Sequence, residues 1–102
     1  MMQLSKSELE KKLTKMRNIA QNKREYGAYY YRAKNFLMDL DNFKKVLDEI
    51  EDNKRLNIIR EHYTYYKQKE KFNILFDTSS ILLLQSEGEL YLYLIAEYKL
   101  RW

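Results

Sequence analysis

Residues 86–102 read SEGELYLYLIAEYKLRW, and this stretch decides which fold class the sequence predicts. From Leu90 onward every even position is apolar or aromatic, whereas the odd positions become charged towards the end of the chain. An alternation of period two is typical of a strand. The Ser-Glu-Gly sequence that ends at Gly88 suits a three-residue hairpin loop, with the glycine in the left-handed bulge position. The pattern therefore predicts an antiparallel β-hairpin over residues 72–102.

The predicted loop also sets a strand register. Pairing about the loop places Leu84 opposite Leu90, and continuing it places Phe72 opposite Trp102. The apolar faces of the two strands then coincide over their whole length. The polar run Asp77–Ser80 interrupts this face. It predicts either a bulge or a turn that converts the hairpin into a short three-stranded meander.

The other face of the predicted hairpin indicates a protein-binding site. One helical layer covers only one face of a two-stranded sheet, so apolar side chains on the second face near the tip are expected to be exposed. Such a patch beside an unpaired strand edge is typical of a protein interface, and aromatic side chains contribute most of the binding energy there. The candidate protein-binding residues are Ile81, Leu83, Tyr91, Tyr93 and Ile95.

The N-terminal part of the sequence predicts helices. Residues 5–8 read SKSE, a capping box in which the Ser5 hydroxyl and the Glu8 carboxylate satisfy each other's backbone amides. Leu4 and Leu9 occupy the positions of a hydrophobic staple around this cap. The first helix is therefore expected to begin here.

A heptad pattern follows. Heptads counted from Tyr26 put an apolar or aromatic residue at every a and d position up to Ile50. Tyr31 falls outside this stripe and is expected to face solvent. Gly27 lies at the start of the stripe, where glycine loosens or breaks a helix, so residues 5–52 fit either one bent helix or a helical hairpin.

The predicted architecture is α+β. A third helix is expected from about Lys54 to Lys69, and the helical layer, residues 5–70, is expected to lie across the apolar face of the hairpin, residues 72–102. A length of 102 residues suits a single domain, residues 1–102.

The charge distribution indicates a second kind of binding. The formal net charge is +4, and residues 1–35 alone carry +6, whereas residues 36–52 carry −4. A basic segment attracts phosphate groups or an acidic protein surface, although lysines on an amphipathic helix commonly serve only to solubilise its outer face. The candidate nucleic-acid-binding residues are Lys11, Lys12, Lys15, Arg17, Lys23, Arg24, Tyr31, Arg32 and Lys34.

The sequence gives little support to catalysis or cofactor binding. There is no cysteine, and His62 is the single histidine, without a nucleophile near it in sequence. The run that starts Asp39-Leu40-Asp41 resembles the beginning of a calcium loop, but Lys44 stands where that loop requires glycine. A solvated acidic face is the preferred interpretation. We expect no enzyme activity, metal, cofactor or small-molecule substrate.

The remaining sequence features bear on the cellular location and on the class of protein. The longest apolar run, Leu90 to Ala96, is too short to span a bilayer, and the N-terminus shows no apolar signal segment, which predicts a cytoplasmic protein. The size, the absence of Cys and Pro, and the Lys/Tyr/Leu/Asn-rich composition are similar in style to small virus- or plasmid-encoded (phage-like) proteins, among them inhibitors that block a host defence nuclease by direct binding.

The functional prediction is therefore a non-enzymatic protein-interaction module. It is expected to be a homodimer or an inhibitor that binds a larger host protein through the hairpin. The alternative is a basic protein that binds nucleic acid through its N-terminal helix.

Overall fold

The structure, a computed structural model, describes residues 5–72 and 78–101, and these residues form five helices and no strand. The prediction of a small α+β protein is therefore wrong, because the described part of the predicted hairpin forms a helix. The helices are α1 (Lys6–Ile19), α2 (Lys23–Tyr26), α3 (Ala28–Asp48), α4 (Asp52–Phe72) and α5 (Thr78–Glu97).

Helix α5 is the central element. It packs along α4 and α1, and side chains from α3 reach it as well. Three consecutive residues, Leu90 to Leu92, are buried, and so are Leu94 and Ile95. A strand that covers one layer buries alternate residues, whereas a helix enclosed on several sides buries consecutive ones.

The error in the prediction has an identifiable source in the residue types. The even positions of the C-terminal stretch are mostly Leu and the odd positions begin with Tyr and Ile, so both sets are apolar enough to be buried. Two apolar sets in alternation resemble a two-faced strand but also satisfy a helix that is surrounded by other helices. Leu, Ala and Glu, which make up much of this stretch, are good helix formers.

Gly88 lies inside α5 and does not form a hairpin loop. A Cβ atom built at this position would lie 2.9 Å from the Cβ of Tyr66 on α4. The glycine therefore allows the backbones of α4 and α5 to approach closely. The polar interruption predicted at Asp77–Ser80 falls partly outside the described residues, since Asp77 is not described, and Thr78 onwards belongs to α5.

The predicted start of the first helix and the Ser5 half of its capping box are confirmed. Ser5 caps α1, and its Oγ accepts a hydrogen bond from the backbone N–H of Glu8 at 3.1 Å. The proposed staple residue Leu4 lies outside the described residues, whereas Leu9 is fully buried. The predicted third helix is confirmed as α4, which extends two or three residues further at each end.

The heptad stripe is also confirmed. None of its members is exposed, and Tyr31 lies outside it with 49% of its surface accessible. Of the two arrangements left open for residues 5–52, the helical hairpin is correct, because α1 and α3 pack side by side. The a and d residues are Tyr26, Tyr29, Ala33, Phe36, Leu40, Phe43, Leu47 and Ile50.

Gly27 makes the corner between α2 and α3. Its φ of +56° and ψ of −121° belong to a backbone region that residues with a side chain rarely enter. The chain can therefore end α2 and start α3 within one residue. Within the described residues, no helix combines the length and apolar character needed to cross a membrane.

Candidate functional site

A groove lies between the second half of α1 and the first half of α5, and we call it the α1–α5 groove. Its volume is about 370 Å³. Side chains from α2 and from the first turn of α3 complete the walls. Most of the lining is apolar or aromatic, and the residues that supply it are Met16, Ile19, Tyr26, Tyr29, Leu82 and Leu83.

The groove has a buried floor and an exposed edge. Met16 and Leu83 are buried, with 1% and 7% of their surfaces accessible. Leu82 is 55% exposed although it belongs to α5, the most buried helix. Ser79 and Ser86 add hydroxyl groups to the α5 side. An exposed leucine beside a buried apolar floor leaves hydrophobic surface open to a ligand or partner.

Among the described residues, the charged groups that line the α1–α5 groove are two lysines and one glutamate. Lys12 Nζ lies 3.4 Å from Glu89 Oε1, so its charge is partly balanced. Lys15 is exposed and forms no ion pair with a described residue. The Glu25 carboxylate is held by the side chain of Asn22, whose Nδ2 donates to Oε2 at 2.9 Å. Lys15 therefore remains the cation most available to an anionic group.

The residues predicted to bind protein do not form one exposed patch. Leu83, Tyr91 and Ile95 are buried, with 7%, 4% and 3% of their surfaces accessible, and Ile81 and Tyr93 are half-buried. Because the stretch is helical, Tyr91 and Tyr93 point in different directions instead of sharing a face. The docking surface expected on the second face of the hairpin does not exist, because the described part of this stretch is a helix.

Tyr91 belongs to an aromatic cluster between α3, α4 and α5. Its ring stacks on Tyr66 with the centroids 5.5 Å apart, and Phe36 and Phe43 contact it edge-on at 5.9 and 5.2 Å. Burial raises the pKa of the Tyr91 hydroxyl and is also the main reason that the pKa of Tyr66 is raised, while the charge of Tyr91 raises the latter further. These tyrosines are structural and remain neutral at physiological pH.

Tyr93 faces the other side of α5. It lies near Leu13 and Arg17 of α1 and Lys44 of α3, where two shallow recesses of about 290 and 140 Å³ meet. Lys44 Nζ contacts Glu97 Oε1 at 3.3 Å across this side. The charges here are balanced, so the recesses favour neither an anionic nor a cationic ligand.

The predicted nucleic-acid-binding residues divide into three groups. Two contact acidic residues of α5: Lys12 pairs with Glu89, and the Arg32 guanidinium donates to both Glu87 carboxylate oxygens at 2.7 and 3.1 Å. Three form a cluster with Tyr30 at the α2–α3 corner. The cluster members are Lys23, Tyr31 and Lys34. The exposed ones without an ion pair among the described residues are Lys11, Lys15, Arg17 and Arg24.

The basic residues of α1 do not share one face. Lys12 and Lys15 line the α1–α5 groove, whereas Arg17 lies on the opposite flank of the helix, in the recesses that also contain Glu97. A phosphate backbone that follows α1 therefore cannot contact all of them at once.

His62 has a structural environment. Its Nδ1 lies 3.0 Å from the carbonyl oxygen of Ile58, and its ring packs against Phe43 at 4.4 Å and Tyr91 at 5.2 Å. Within the described residues, no three His, Asp or Glu side chains converge in a way that could hold a metal ion. The acidic residues of α3 that resembled a calcium loop, Asp39 and Asp41, are exposed.

Comparison with known proteins identifies no relatives. No protein-family model matches the chain, and neither curated proteins nor solved structures show a significant similarity to it.

Sequence reasoning missed most of the α1–α5 groove. Tyr26 and Tyr29 were assigned to the heptad stripe, which is correct, but nothing indicated that they stand beside Leu82. The missing information was the helical state of residues 78–97. Once that segment is a helix, Leu82 falls on the flank that faces α1, one residue before the buried pair Leu83 and Leu84.

Proposed function

We propose that this chain is a non-enzymatic, cytoplasmic protein-binding module that holds an amphipathic, acidic helix of a partner protein in the α1–α5 groove. The observation that carries the proposal is an apolar groove of about 370 Å³ with Leu82 exposed on its edge and Lys15 beside it. A cleft of this size lies within the usual range for binding sites.

The shape of the α1–α5 groove supports a helical occupant. Its principal walls are two helices, α1 and α5. An amphipathic helix inserts its apolar side chains, spaced one turn apart, into a hydrophobic groove of this type. Binding of an extended peptide by strand addition needs an open sheet edge, and the described residues contain no strand.

The charge of the rim supports an acidic partner. Lys15 lies one turn after Lys12 on α1, and Lys12 is partly balanced by Glu89. Among the described lining residues the one acidic side chain, Glu25, is bonded to Asn22. Rim charges mainly set association rate and specificity, whereas the apolar floor supplies the affinity. A larger host protein that is inhibited by docking fits this description, and a second copy of the chain is the alternative partner.

The test uses the absence of cysteine in the natural chain. A purified Leu82→Cys variant is labelled at its thiol with a photo-crosslinker and irradiated in an extract of the source cells, and its adducts are identified by mass spectrometry. The matched control is Val46→Cys, since Val46 is 52% exposed on α3 and lies outside the α1–α5 groove. We expect one dominant adduct that is specific to position 82 and that weakens when Lys12 and Lys15 are changed to Glu.

Three outcomes decide the proposal. An adduct to a helix of another protein supports it, and an adduct to a second copy, together with a dimeric mass by light scattering, replaces the host partner with a homodimer. Equal labelling patterns at positions 82 and 46 would show that the α1–α5 groove has no specific partner.

A further inference from the structure

A second surface lies at the corner between α2 and α3, and its composition differs from that of the α1–α5 groove. Lys23, Tyr30, Tyr31 and Lys34 contact one another there, and the exposed Arg24 follows Lys23 on α2. We call these five residues the corner platform. The turn at Gly27 brings the basic residues of α2 against the first turn of α3. The corner platform therefore joins cations and aromatic rings from two helices.

The side chains of the corner platform are arranged in pairs. Lys23 Nζ lies 5.0 Å from the ring centroid of Tyr31, and Lys34 Nζ lies 5.6 Å from that of Tyr30. The two tyrosine rings contact each other edge-on, with centroids 5.0 Å apart. These contacts orient the rings and bring two positive charges next to them, without neutralising either charge.

The fold does not require an aromatic residue at the exposed position of Tyr31. Tyr31 points away from the core, outside the heptad stripe, and 49% of its surface is accessible. Lys23, Arg24 and Lys34 are also exposed, and none forms an ion pair with a described residue. The acidic neighbour on α2, Glu25, is hydrogen-bonded to Asn22.

We propose that the corner platform binds single-stranded nucleic acid, with a base stacked on Tyr31 and the adjacent phosphates contacted by Lys23, Arg24 and Lys34. Stacking on an aromatic ring combined with a basic surface is the way proteins bind single strands without sequence preference. A duplex keeps its bases stacked internally and offers only phosphates to such a surface. This inference does not depend on a protein partner in the α1–α5 groove.

The chain contains a matched control surface on α4. Tyr65 is 58% exposed, and Lys69 Nζ lies 5.8 Å from its ring centroid, so the pair resembles Tyr31 with Lys23. Here, however, Glu61 lines the same recess as Tyr65, whereas Glu70, which follows Lys69, is paired with Lys67 and Gln85. The Glu61 carboxylate repels phosphate, so Tyr65 is not expected to act as a stacking site.

The test is fluorescence anisotropy of the full chain with labelled oligothymidylate and oligouridylate of about 20 nucleotides at low salt. We expect Tyr31→Ala to weaken binding at least about fivefold, because one stacked base contributes that much or more. Tyr31→Phe keeps the ring and should bind within about twofold of the wild type, as should Tyr65→Ala.

Salt dependence separates stacking from charge. The double variant Lys23→Gln, Arg24→Gln should make the slope of log affinity against log salt shallower by about 1.4, which corresponds to two phosphate contacts on a single strand. Tyr31→Ala should leave this slope unchanged. Binding of either oligonucleotide supports the site, and the ratio of the two affinities distinguishes RNA from DNA.

Several results would overturn the inference. These are no anisotropy change at low salt, equal loss for Tyr65→Ala and Tyr31→Ala, or a duplex that binds as tightly as the single strand. Circular dichroism of each variant checks the fold, which an exposed side chain such as Tyr31 is not expected to affect.

Discussion

Helices α3 and α5 have nearly the same length but differ in how apolar residues are distributed around the helix. Helix α3 has one buried stripe and one charged face, with Phe36 and Leu40 inside and Asp39 and Asp41 outside. Helix α5 is apolar on most sides and is enclosed by the other helices. An amphipathic pattern encodes both the helix and its orientation, whereas an apolar segment takes its conformation from whatever surrounds it.

This difference between α3 and α5 predicts at which positions a substitution lowers the free energy of unfolding. Substitutions on α3 divide cleanly into buried and exposed positions. On α5 most of the described side chains pack against other helices, and Leu82 is the large apolar side chain that is exposed. Stability measurements on α5, and on its contacts with α3 and α4, therefore test the central position of this helix.

The largest effect is expected from Leu94→Ala. Leu94 is fully buried in α5, and its truncation removes apolar contacts and leaves a cavity. We expect the free energy of unfolding to fall by about 2 to 5 kcal/mol, measured by urea denaturation. The same truncation at Leu82, which is 55% exposed, should cost less than about 1 kcal/mol.

Leu94→Ala and Leu82→Ala are the same substitution in the same helix, so a difference in their free energies of unfolding reports the difference in burial. Comparable losses at both positions would contradict the central placement of α5. A strand in residues 89–102, as the sequence pattern predicted, would give a further distinct result, with far-UV circular dichroism showing a mixed rather than an all-helical spectrum.

The next effect concerns two ion pairs that join α3 to α5. Arg32 and Glu87 form a bidentate pair in which the Glu87 side chain is 7% exposed, whereas Lys44 and Glu97 are 37% and 36% exposed. Arg32→Met leaves a buried carboxylate without its partner and should cost about 2 to 4 kcal/mol. Lys44→Met should cost less than about 1 kcal/mol, because water already screens that pair.

Salt provides the check on this comparison. Raising ionic strength should remove the small difference between Lys44→Met and the wild type but leave the larger loss of Arg32→Met nearly unchanged. Equal losses for the two variants would mean that Glu87 is hydrated and that α3 does not seal this side of α5.

The sequence predicted the first part of the fold well for a physical reason. The Ser5 cap and the heptads from Tyr26 are local signals, each complete within a few turns of helix. The conformation of residues 78–97 depends on contacts with three other helices, which no local pattern specifies. The α1–α5 groove depends on the same long-range packing, so only Tyr26 and Tyr29 were recognisable as packing residues.

For the corner platform, in contrast, the sequence revealed most of the residues but not all of their contacts. The clustering of tyrosines and basic residues near Tyr31 was visible in the sequence, as was the outward direction of that side chain. The pairing of Arg32 with Glu87 was not visible, because the two residues are 55 positions apart in the chain. Sequence alone therefore overestimated the number of cations available to phosphate.

Gly88→Ala is expected to have an intermediate effect on the contact between α4 and α5. In an exposed helix this change is favourable by about 1 kcal/mol. Here the new methyl group would lie 2.9 Å from Tyr66 Cβ, an atom that is fixed to its backbone and cannot rotate away. We expect a net loss of about 1 to 3 kcal/mol in thermal or urea unfolding.

Gly27→Ala is a useful comparison with Gly88→Ala because its expected destabilisation has a different physical cause. A Cβ at Gly27 meets no atom within 4 Å, but the backbone has a φ of +56°. We expect a loss of about 1 to 3 kcal/mol from conformational strain alone. A stabilised Gly88→Ala would show that α4 and α5 are farther apart than the structure indicates.

The smallest effect is an alkaline loss of stability that originates in the same α4–α5 contact. Burial raises the pKa of Tyr66 and of Tyr91 in the folded protein above the ordinary tyrosine value of 10.0. Below pH 10 both states are protonated, and the full stability is present. Above it the unfolded chain loses protons that the folded chain retains, so stability falls as pH rises, by up to about 1.4 kcal/mol per pH unit for each tyrosine.

Tyr66→Phe tests this contribution. The variant lacks the Tyr66 hydroxyl and its hydrogen bond to Tyr91 but keeps Tyr98, whose pKa burial raises to about 12, so its urea midpoint should fall less steeply than that of the wild type between about pH 10 and 11. Lysine titration in the same range is common to both proteins and cancels in the comparison. Parallel curves for Tyr66→Phe and the wild type would mean that this hydroxyl ionises as readily in the folded chain as in the unfolded one. The aromatic cluster would then be open to water, and α5 would not be enclosed on the α4 side.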